Sequence, residues 1–278
     1  MGNKRDKSRC TGHGPGGSGE GRKARKLLPY AGGKSKLAPR LLELMPPHDC
    51  CCEVFGGGSA LLAAKDPAIS KSEVLNDLDG RLTTLYRVSK YHPEALQVET
   101  ALLLRSRQNY QDFGRQEGLT DVQRAARYLF LLLNTFANRL SFDSFSYSME
   151  GRPGGGSSRM MAHVWRLFDR LERVTIERLD FEDLFARYDR PRSFFYCDPP
   201  YWLDKAPYKH NLTPADQRRL AECLGRLKGK WLLSLNDRPE VRDLYAAYAM
   251  EEVGVVYGIS RDKGAPGQKG KELLIRNY

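Results

Sequence analysis

The chain has 278 residues, of which 41% are hydrophobic and 28% are charged, the composition of an ordinary globular protein with an apolar core. No apolar run approaches the roughly 20 residues that span a bilayer, and the charged, glycine-rich amino terminus lacks the apolar stretch of a signal peptide. We therefore expect no membrane segment and no secretion, and we predict a cytoplasmic location.

The formal net charge of +11 is unevenly distributed along the chain. Residues 1–26 hold eight Lys and Arg against two acidic residues, so that +6 of the charge lies in a glycine- and serine-rich tail that we predict to be disordered. Such an arm suits contacts with phosphates. The folded part, with the other +5, is compatible with nucleic acid without being diagnostic of it.

The first predicted elements form strand–turn–helix units. A helix is expected from about Ser35 to Leu44, where two prolines stop it. A short apolar strand in "CCCEVF" then leads through three glycines into a helix that opens at Ser59, and a second strand, Glu73 to Asn76, ends at Asp77 before another helix. Two such units in succession predict a parallel sheet of the α/β class.

Three of the six cysteines are consecutive, Cys50–Cys52, and lie in the first predicted strand. Because successive strand residues point to opposite faces of a sheet, three adjacent thiolates cannot easily share one metal ion. We interpret them as small buried residues in a reducing compartment, and we predict no metal site.

Residues 93–172 interrupt this alternation of strands and helices. Helical periodicity fills 94–112 and 121–137, a glycine- and serine-rich loop studded with aromatics follows, and "RMMAHVWRLFDRLERV" returns to helix. We therefore predict an inserted, mainly helical lobe at 93–172 between two parts of one catalytic domain, 27–92 and 173–278. The predicted elements of the second part are strands at 174–177, 194–197, 231–235, 252–257 and 272–277, and helices at 214–227 and 239–247.

The stretch "FYCDPPYW", residues 195–202, ends a strand abruptly. Pro199 and Pro200 lack amide hydrogens and have a fixed φ, so they cannot continue a central strand, and they keep Asp198 extended. The result is a stiff corner that holds a carboxylate and the ring of Tyr201 at a strand's carboxyl end. In open α/β sheets, ligands bind at that edge.

Glycines 56–58 in "EVFGGGSALL" lie between a strand and a helix, where they let the backbone turn tightly and approach a ligand closely. The spacing is not that of a dinucleotide-binding loop, but the next strand ends at Asp77, an acid placed to accept hydrogen bonds from two ribose hydroxyls. Together these features indicate an adenosine-bearing cofactor. "AGGKS" is not a P-loop, because Leu28 occupies the position where that motif requires glycine.

Over residues 27–278 the chain resembles the Dam-like class of adenine-specific DNA methyltransferases. The resemblance rests on the order of its motifs, which is "YAGGKSKL", "EVFGGGSA", "EVLNDLDGRL", a helical insert, "FYCDPPYW" and "LLSLND". The resemblance implies a Rossmann-like methyltransferase sheet with helices on both faces and an inserted target-recognition lobe. It also implies S-adenosylmethionine as methyl donor, the exocyclic amine of adenine in double-stranded DNA as acceptor, and a monomer.

Carried over residue by residue, the resemblance assigns the cofactor contacts. Tyr30 and Lys34 match the aromatic and the lysine of the family's first block, Asp77 matches its ribose-binding acid, and Asp198 lies at the junction of cofactor and target base. The implied cofactor-binding residues are Tyr30, Lys34, Glu53, Phe55, Gly56, Gly58, Asp77, Asp180 and Asp198.

The catalytic residues that the resemblance implies are those of the proline corner, Asp198, Pro199, Pro200 and Tyr201. We hypothesise that the Asp198 carboxylate and the Pro199 carbonyl accept the hydrogens of the adenine amine and aim its lone pair at the methyl group. Tyr201, extended by Trp202, would stack on the adenine after the base has left the duplex.

DNA contacts are expected from the insert and from the loop after the proline corner. Asn134, Arg139 and Tyr147 resemble the family's base-reading segment, and Lys209 lies in a loop suited to DNA phosphates. The pattern is broken and its hairpin is short, so we predict a relaxed or different sequence preference from GATC.

Two other functions remain open from the sequence. The same scaffold methylates the amine of cytosine, RNA or a protein glutamine, although the aspartate before the prolines argues against the glutamine enzymes. A catalytically silent nucleic-acid-binding module would bind DNA with steep salt dependence and would not bind the cofactor.

Overall fold

The computed structural model describes residues 27–30, 34–135, 145–146, 156–201, 212–256 and 269–278, and the structural statements that follow concern these residues. The predicted basic tail lies outside them. In this part of the chain no helix has the length and apolar content that crossing a membrane requires.

Seven strands form a single sheet in the order β3-β2-β1-β4-β5-β7-β6. The first five in this order pair in parallel, whereas β7 runs antiparallel to both of its neighbours. The predicted parallel α/β sheet is therefore confirmed, and an antiparallel strand completes it. The strands are β1 (Cys50–Glu53), β2 (Ser72–Asn76), β3 (Val174–Glu177), β4 (Ser193–Cys197), β5 (Lys230–Asn236), β6 (Ala249–Val256) and β7 (Lys269–Arg276).

Most helices agree with the sequence pattern. Those of the described residues are α1 (Ala38–Glu43), α2 (Ala60–Ala64), α3 (Gly80–Tyr91), α4 (Pro93–Ala101), α5 (Arg107–Arg115), α6 (Asp121–Asn134), α7 (Ser157–Arg170), α8 (Phe181–Tyr188), α9 (Pro214–Arg226) and α10 (Pro239–Leu244).

Several predicted boundaries were wrong, among them the start of β7, at Lys269 instead of 272, and the end of α10, at Leu244 instead of 247. The single helix expected over 94–112 is two, because the Ser106 hydroxyl accepts a hydrogen bond from the Asn109 amide and caps a new helix there. The first helix begins at Ala38 instead of Ser35 because residues 35–37 form a turn. The helix expected over 121–137 ends at Asn134, where the chain becomes extended, and β6 begins three residues before the predicted 252.

Apolar side chains cover both faces of the sheet, because alternate residues of β4 point in opposite directions. Phe194 and Tyr196 pack with α1 on one face, and on the other Phe195 packs with α8 and α9 around Trp231. The helices on both faces of the predicted Rossmann-like sheet are therefore confirmed.

The helices α4, α6 and α7 pack on α3, and α5 packs on α6; all four bury apolar side chains in the same core as α3 and β2. Leu129 and Phe130 of α6 and Leu85 of α3 belong to this core. The division of the chain into an insert and a catalytic domain stays a prediction, since the described part of the insert shares this core.

The cysteine run lies in β1, with Cys51 and Cys52 buried and Cys50 half-buried. No cluster of three or more His, Cys, Asp or Glu side chains suited to a metal ion occurs among the described residues.

Candidate active site

The glycine bend between β1 and α2 packs directly against the segment that carries Tyr30. Gly57 has a φ of +47°, a conformation that side chains disfavour. A Cβ atom on Gly58 would lie 2.9 Å from the Leu28 carbonyl oxygen and 2.9 Å from the Tyr30 Cβ, so this position has no room for a side chain. Glycine is therefore favoured at Gly57 by the backbone conformation and required at Gly58 by the close approach of two chain segments.

Asp77 follows β2 and is fixed by two backbone amides. Its Oδ2 accepts a hydrogen bond of 2.8 Å from the Gly57 amide, and its Oδ1 accepts one of 2.8 Å from the Asp79 amide. The carboxylate thus ties the glycine bend to the start of α3. Burial, together with the charge of Asp77, raises the pKa of Tyr30, which keeps that phenol neutral.

Glu53 ends β1 and is buried beneath the bend. It accepts a hydrogen bond from the Leu62 amide of α2. Burial raises the pKa of its carboxyl to about 8, and the nearby charge of Asp198 contributes to the rise.

Asp198 follows β4 and is held at one of its two oxygens. The Lys34 ammonium lies 2.5 Å from Oδ1, and the Ser234 hydroxyl donates to the same oxygen at 3.0 Å. The Tyr196 hydroxyl is in turn 3.1 Å from that of Ser234. Lys34 is 5% exposed and Asp198 20% exposed, so the ion pair is largely shielded from water yet reachable from the edge of the sheet.

The proline corner is braced from α9 and from β7. Gln217 donates a hydrogen bond of 3.2 Å to the Pro200 carbonyl. The Lys34 ammonium lies 4.7 Å from the centre of the Tyr201 ring, and the Tyr201 hydroxyl donates to Glu272. Of the predicted catalytic residues, Pro199 is buried and Asp198, Pro200 and Tyr201 are half-buried.

Asp180 caps α8 by accepting a hydrogen bond of 3.0 Å from the Glu182 amide. Both of its oxygens also bind the Arg219 guanidinium, each at 2.9 Å. The same guanidinium stacks on Phe181, whose ring lies 6.1 Å from that of Phe55. The cofactor role expected of Asp180 stays a prediction, because its carboxylate is engaged with Arg219 in this geometry.

The predicted residues converge on one edge of the sheet. Glu53 ends β1, and the strands on either side of β1 are those that Asp77 and Asp198 follow. Because these strands are parallel, their carboxyl ends meet at the same edge. Two strand spacings, about 10 Å, separate Asp77 from Asp198. An adenosine-sized ligand can span that distance, at the point where the strand order reverses.

The sequence profile of D12 class N6 adenine-specific DNA methyltransferases matches residues 30–259. The chain belongs to this family. Among its relatives, the Type II methyltransferase M1.LlaDCHI of Lactococcus lactis subsp. cremoris is 26% identical over an alignment that covers 91% of this chain and 95% of the relative. DNA adenine methylases of Salmonella typhi and of Escherichia coli K12 are each 25% identical, with 91% and 95% covered in both comparisons.

A D12 class enzyme is a transferase that methylates adenine in DNA, so the enzyme and its DNA substrate, expected from the resemblance, are confirmed. The family also requires a methyl donor. The residues that would bind the methyl donor and the target adenine, in contrast, are assigned only by motif and by geometry.

The residues predicted to contact DNA in this D12 methyltransferase are only partly described. Arg139, Tyr147 and Lys209 lie outside the described residues. Asn134 is fully buried, where its oxygen accepts a hydrogen bond of 2.8 Å from Arg105 and its amide nitrogen donates to the Phe130 carbonyl. Base contact by Asn134 stays a prediction, and its burial favours a positioning role.

Arg105 joins the two flanks of the segment 136–144. It binds Asn134 on one side and donates a hydrogen bond of 2.5 Å to the Ser146 carbonyl on the other, while its guanidinium stacks on Phe145 at 5.1 Å. Thr135 and Phe145 form a short antiparallel bridge at the same place. The base of the predicted recognition segment is therefore a fixed structure.

Sequence reasoning missed three polar residues that contact the candidate site: Ser234, Gln217 and Glu272. Ser234 is a polar side chain inside the apolar run "LLSL" of β5, and a polar group in that position is a detectable signal, whereas Glu272 follows the polar stretch "KGK" of β7 and gives none. Gln217 gives no such signal, because glutamine is ordinary in a helix.

Proposed function

We propose that this D12 class enzyme uses S-adenosylmethionine as its methyl donor, bound along the sheet edge between Asp77 and Asp198. The observation that carries the proposal is the placement of the glycine bend and both carboxylates at the ends of three adjacent parallel strands. A protein that only binds nucleic acid has no use for this arrangement.

The residues at the edge fit the donor's chemistry. A carboxylate such as that of Asp77, held rigid by two amides, can also accept hydrogen bonds from ribose hydroxyls. The closely packed glycine bend leaves backbone rather than side chains facing the ligand. At the other end, Lys34, Asp198 and Glu272 are within ion-pair distance and carry a formal charge of −1 together, which suits a positively charged ligand. The bound donor supplies an electrophilic methyl group on a sulfonium.

Asp198 would orient the adenine amine. That amine is a poor nucleophile because its lone pair is delocalised into the ring. Within the described residues the contacts of Asp198 fall on Oδ1, and we assign Oδ2 and the Pro199 carbonyl as acceptors of the two amine hydrogens. These two acceptors would aim the amine nitrogen at the donor's methyl group, and the Asp198 carboxylate would accept the surplus amine proton.

Tyr201 would provide the face on which the target adenine stacks. Chemistry on a base inside a duplex requires the base to be turned out of the stack, and an aromatic ring compensates for the stacking that is lost. The ring of Tyr201 is held at its hydroxyl and at the proline corner, which supports a fixed orientation.

The test is methyl transfer by Asp198→Ala, measured with radiolabelled S-adenosylmethionine and unmethylated DNA. We expect a loss of about 100-fold or more, as for removal of one preorganised polar group. The matched control is Asp121→Ala, which removes an exposed aspartate paired with Arg124 on α6 and should leave the rate unchanged. Transfer by Asp198→Ala near the wild-type rate would end the assignment.

The recognition sequence is a separate part of the proposal. The broken pattern around Asn134, Arg139 and Tyr147 supports a relaxed or different preference from GATC. Mapping of methylated adenines in DNA from expressing cells tests it, and strict GATC modification would refute it. We also propose a monomer, for which sedimentation with and without DNA is the test.

A further inference from the structure

The antiparallel strand β7 brings a buried acid to the active edge of the sheet, which is the edge where β1, β2 and β4 end and where the proposed site lies. β7 pairs with β5 so that Glu272 lies opposite Asn236, the last residue of β5. The carboxyl end of β5 is beside that of β4, which Asp198 follows. Because β7 runs antiparallel to β5, a residue near the start of β7 lies at the edge where β4 and β5 end.

Glu272 contacts two residues of the proposed machinery. The Tyr201 hydroxyl donates a hydrogen bond to its Oε1, and the Lys34 ammonium lies 3.8 Å from the same oxygen. Lys34 is therefore shared between Glu272 and Asp198. The Glu272 side chain is 2% exposed, and a carboxylate removed from water to this degree is retained only where partners compensate for its desolvation.

These contacts restrain Tyr201 at both ends. The backbone beside it is fixed by two prolines and by the bond from Gln217 to the Pro200 carbonyl. The hydroxyl is fixed by Glu272, a residue of a central sheet rather than of a loop. With both ends held, the tyrosine ring loses its rotameric freedom before the target base arrives.

We infer that Glu272 is a positioning residue for methyl transfer, which holds the Tyr201 ring through its hydroxyl and keeps Lys34 beside Asp198. The inference depends on the proposed roles of Asp198 and Tyr201. A residue that only held β7 in the sheet would contribute to stability and would leave the turnover of the folded enzyme unchanged.

The experiment is a double-mutant cycle with Glu272→Ala and Tyr201→Phe, in which kcat on DNA, the Kd for S-adenosylmethionine and the Tm are measured for each variant. Glu272→Gln is the conservative variant, because its amide oxygen can still accept the tyrosine hydroxyl. The matched control is Glu73→Ala. Glu73 is equally buried and is bound by Lys65 and Arg170 rather than by the active edge.

We expect kcat to fall about tenfold in Glu272→Ala and in Tyr201→Phe, with the cofactor Kd changed by less than about twofold. Because Glu272→Ala already breaks the contact that Tyr201→Phe removes, the double variant should lose no more than Glu272→Ala alone, about tenfold, and Glu272→Gln should recover most of the rate. Glu73→Ala should lower the Tm and keep its kcat.

Losses that multiply to about 100-fold in the double variant would overturn the inference, as would wild-type turnover by Tyr201→Phe. The latter variant decides the matter even if Glu272→Ala does not fold. Failure of the proposed function is distinguishable, because it shows as activity of Asp198→Ala or as absence of cofactor binding by the unmodified enzyme.

Discussion

The carboxylate of Asp77 offers the sharpest test of the cofactor site, through the substitution Asp77→Asn. Each of its oxygens accepts a backbone amide, from Gly57 and from Asp79. Asparagine has the same shape but only one acceptor oxygen. Its amide nitrogen must therefore face one of the two backbone N–H groups, donor against donor.

The magnitude follows from these contacts. A hydrogen bond to a charged group contributes about 1.5–3 kcal/mol, and one of the two is lost while the other becomes neutral. Because Asp77 is only half-buried, water compensates in part, and we expect the free energy of unfolding to fall by about 1–2 kcal/mol. One ribose acceptor is lost as well, so the affinity for S-adenosylmethionine should fall about tenfold, or about 1.4 kcal/mol.

Isothermal calorimetry with the cofactor and urea denaturation measure the two quantities separately. Asp79→Asn is the control, since that side chain caps α3 and binds Arg81 while its own backbone amide still donates to Asp77. It should lose stability and keep its cofactor affinity. A folded Asp77→Asn variant with a cofactor Kd within about twofold of wild type would refute the reasoning.

Three further predictions concern other parts of the site. Gly58→Ala should lower the free energy of unfolding by about 1–3 kcal/mol in urea denaturation, because its methyl group enters a closed contact. Burial raises the pKa of Glu53 to about 8, so the native state binds more protons than the unfolded one above the ordinary carboxyl pKa, and stability should fall as the pH rises towards about 8. Between about pH 5.5 and about pH 7.5 the contribution of Glu53 should fall by about 2.5 kcal/mol in urea denaturation, and Glu53→Gln should abolish that contribution. Arg105→Ala should raise the KM for DNA without changing the cofactor Kd, because the bonds to Asn134 and Ser146 are lost.

Each of these has its own control. Gly254→Ala on β6 adds a methyl group that meets nothing within 4 Å and should be nearly neutral. Parallel pH profiles for wild type and Glu53→Gln would contradict the burial argument. For Arg105 the control is Arg124→Ala, which removes a surface ion pair on α6. An equal rise of the KM in both variants would show a general loss of positive charge instead of a specific clamp.

Local sequence determined much of the candidate site. Glycines after one strand, an acid after the next and an acid before two prolines are each a property of a few adjacent residues. Parallel topology then requires their strand ends to share an edge, so Glu53, Asp77 and Asp198 could be predicted together. Helix limits failed at Ser106 and Asn134, where a cap and a change to extended backbone interrupted an apolar pattern that was otherwise continuous.

Contacts between distant parts of the chain were decided only by the tertiary structure. The Tyr201–Glu272 bond joins residues 71 positions apart, and it exists because β7 enters the sheet in the reverse direction between β5 and β6. A strand's apolar pattern specifies which faces are buried but not its direction or its neighbours. The motif predicted that Asn134 contacts DNA, but in the structure it is a buried partner of Arg105. Burial depends on what packs over a residue rather than on its type.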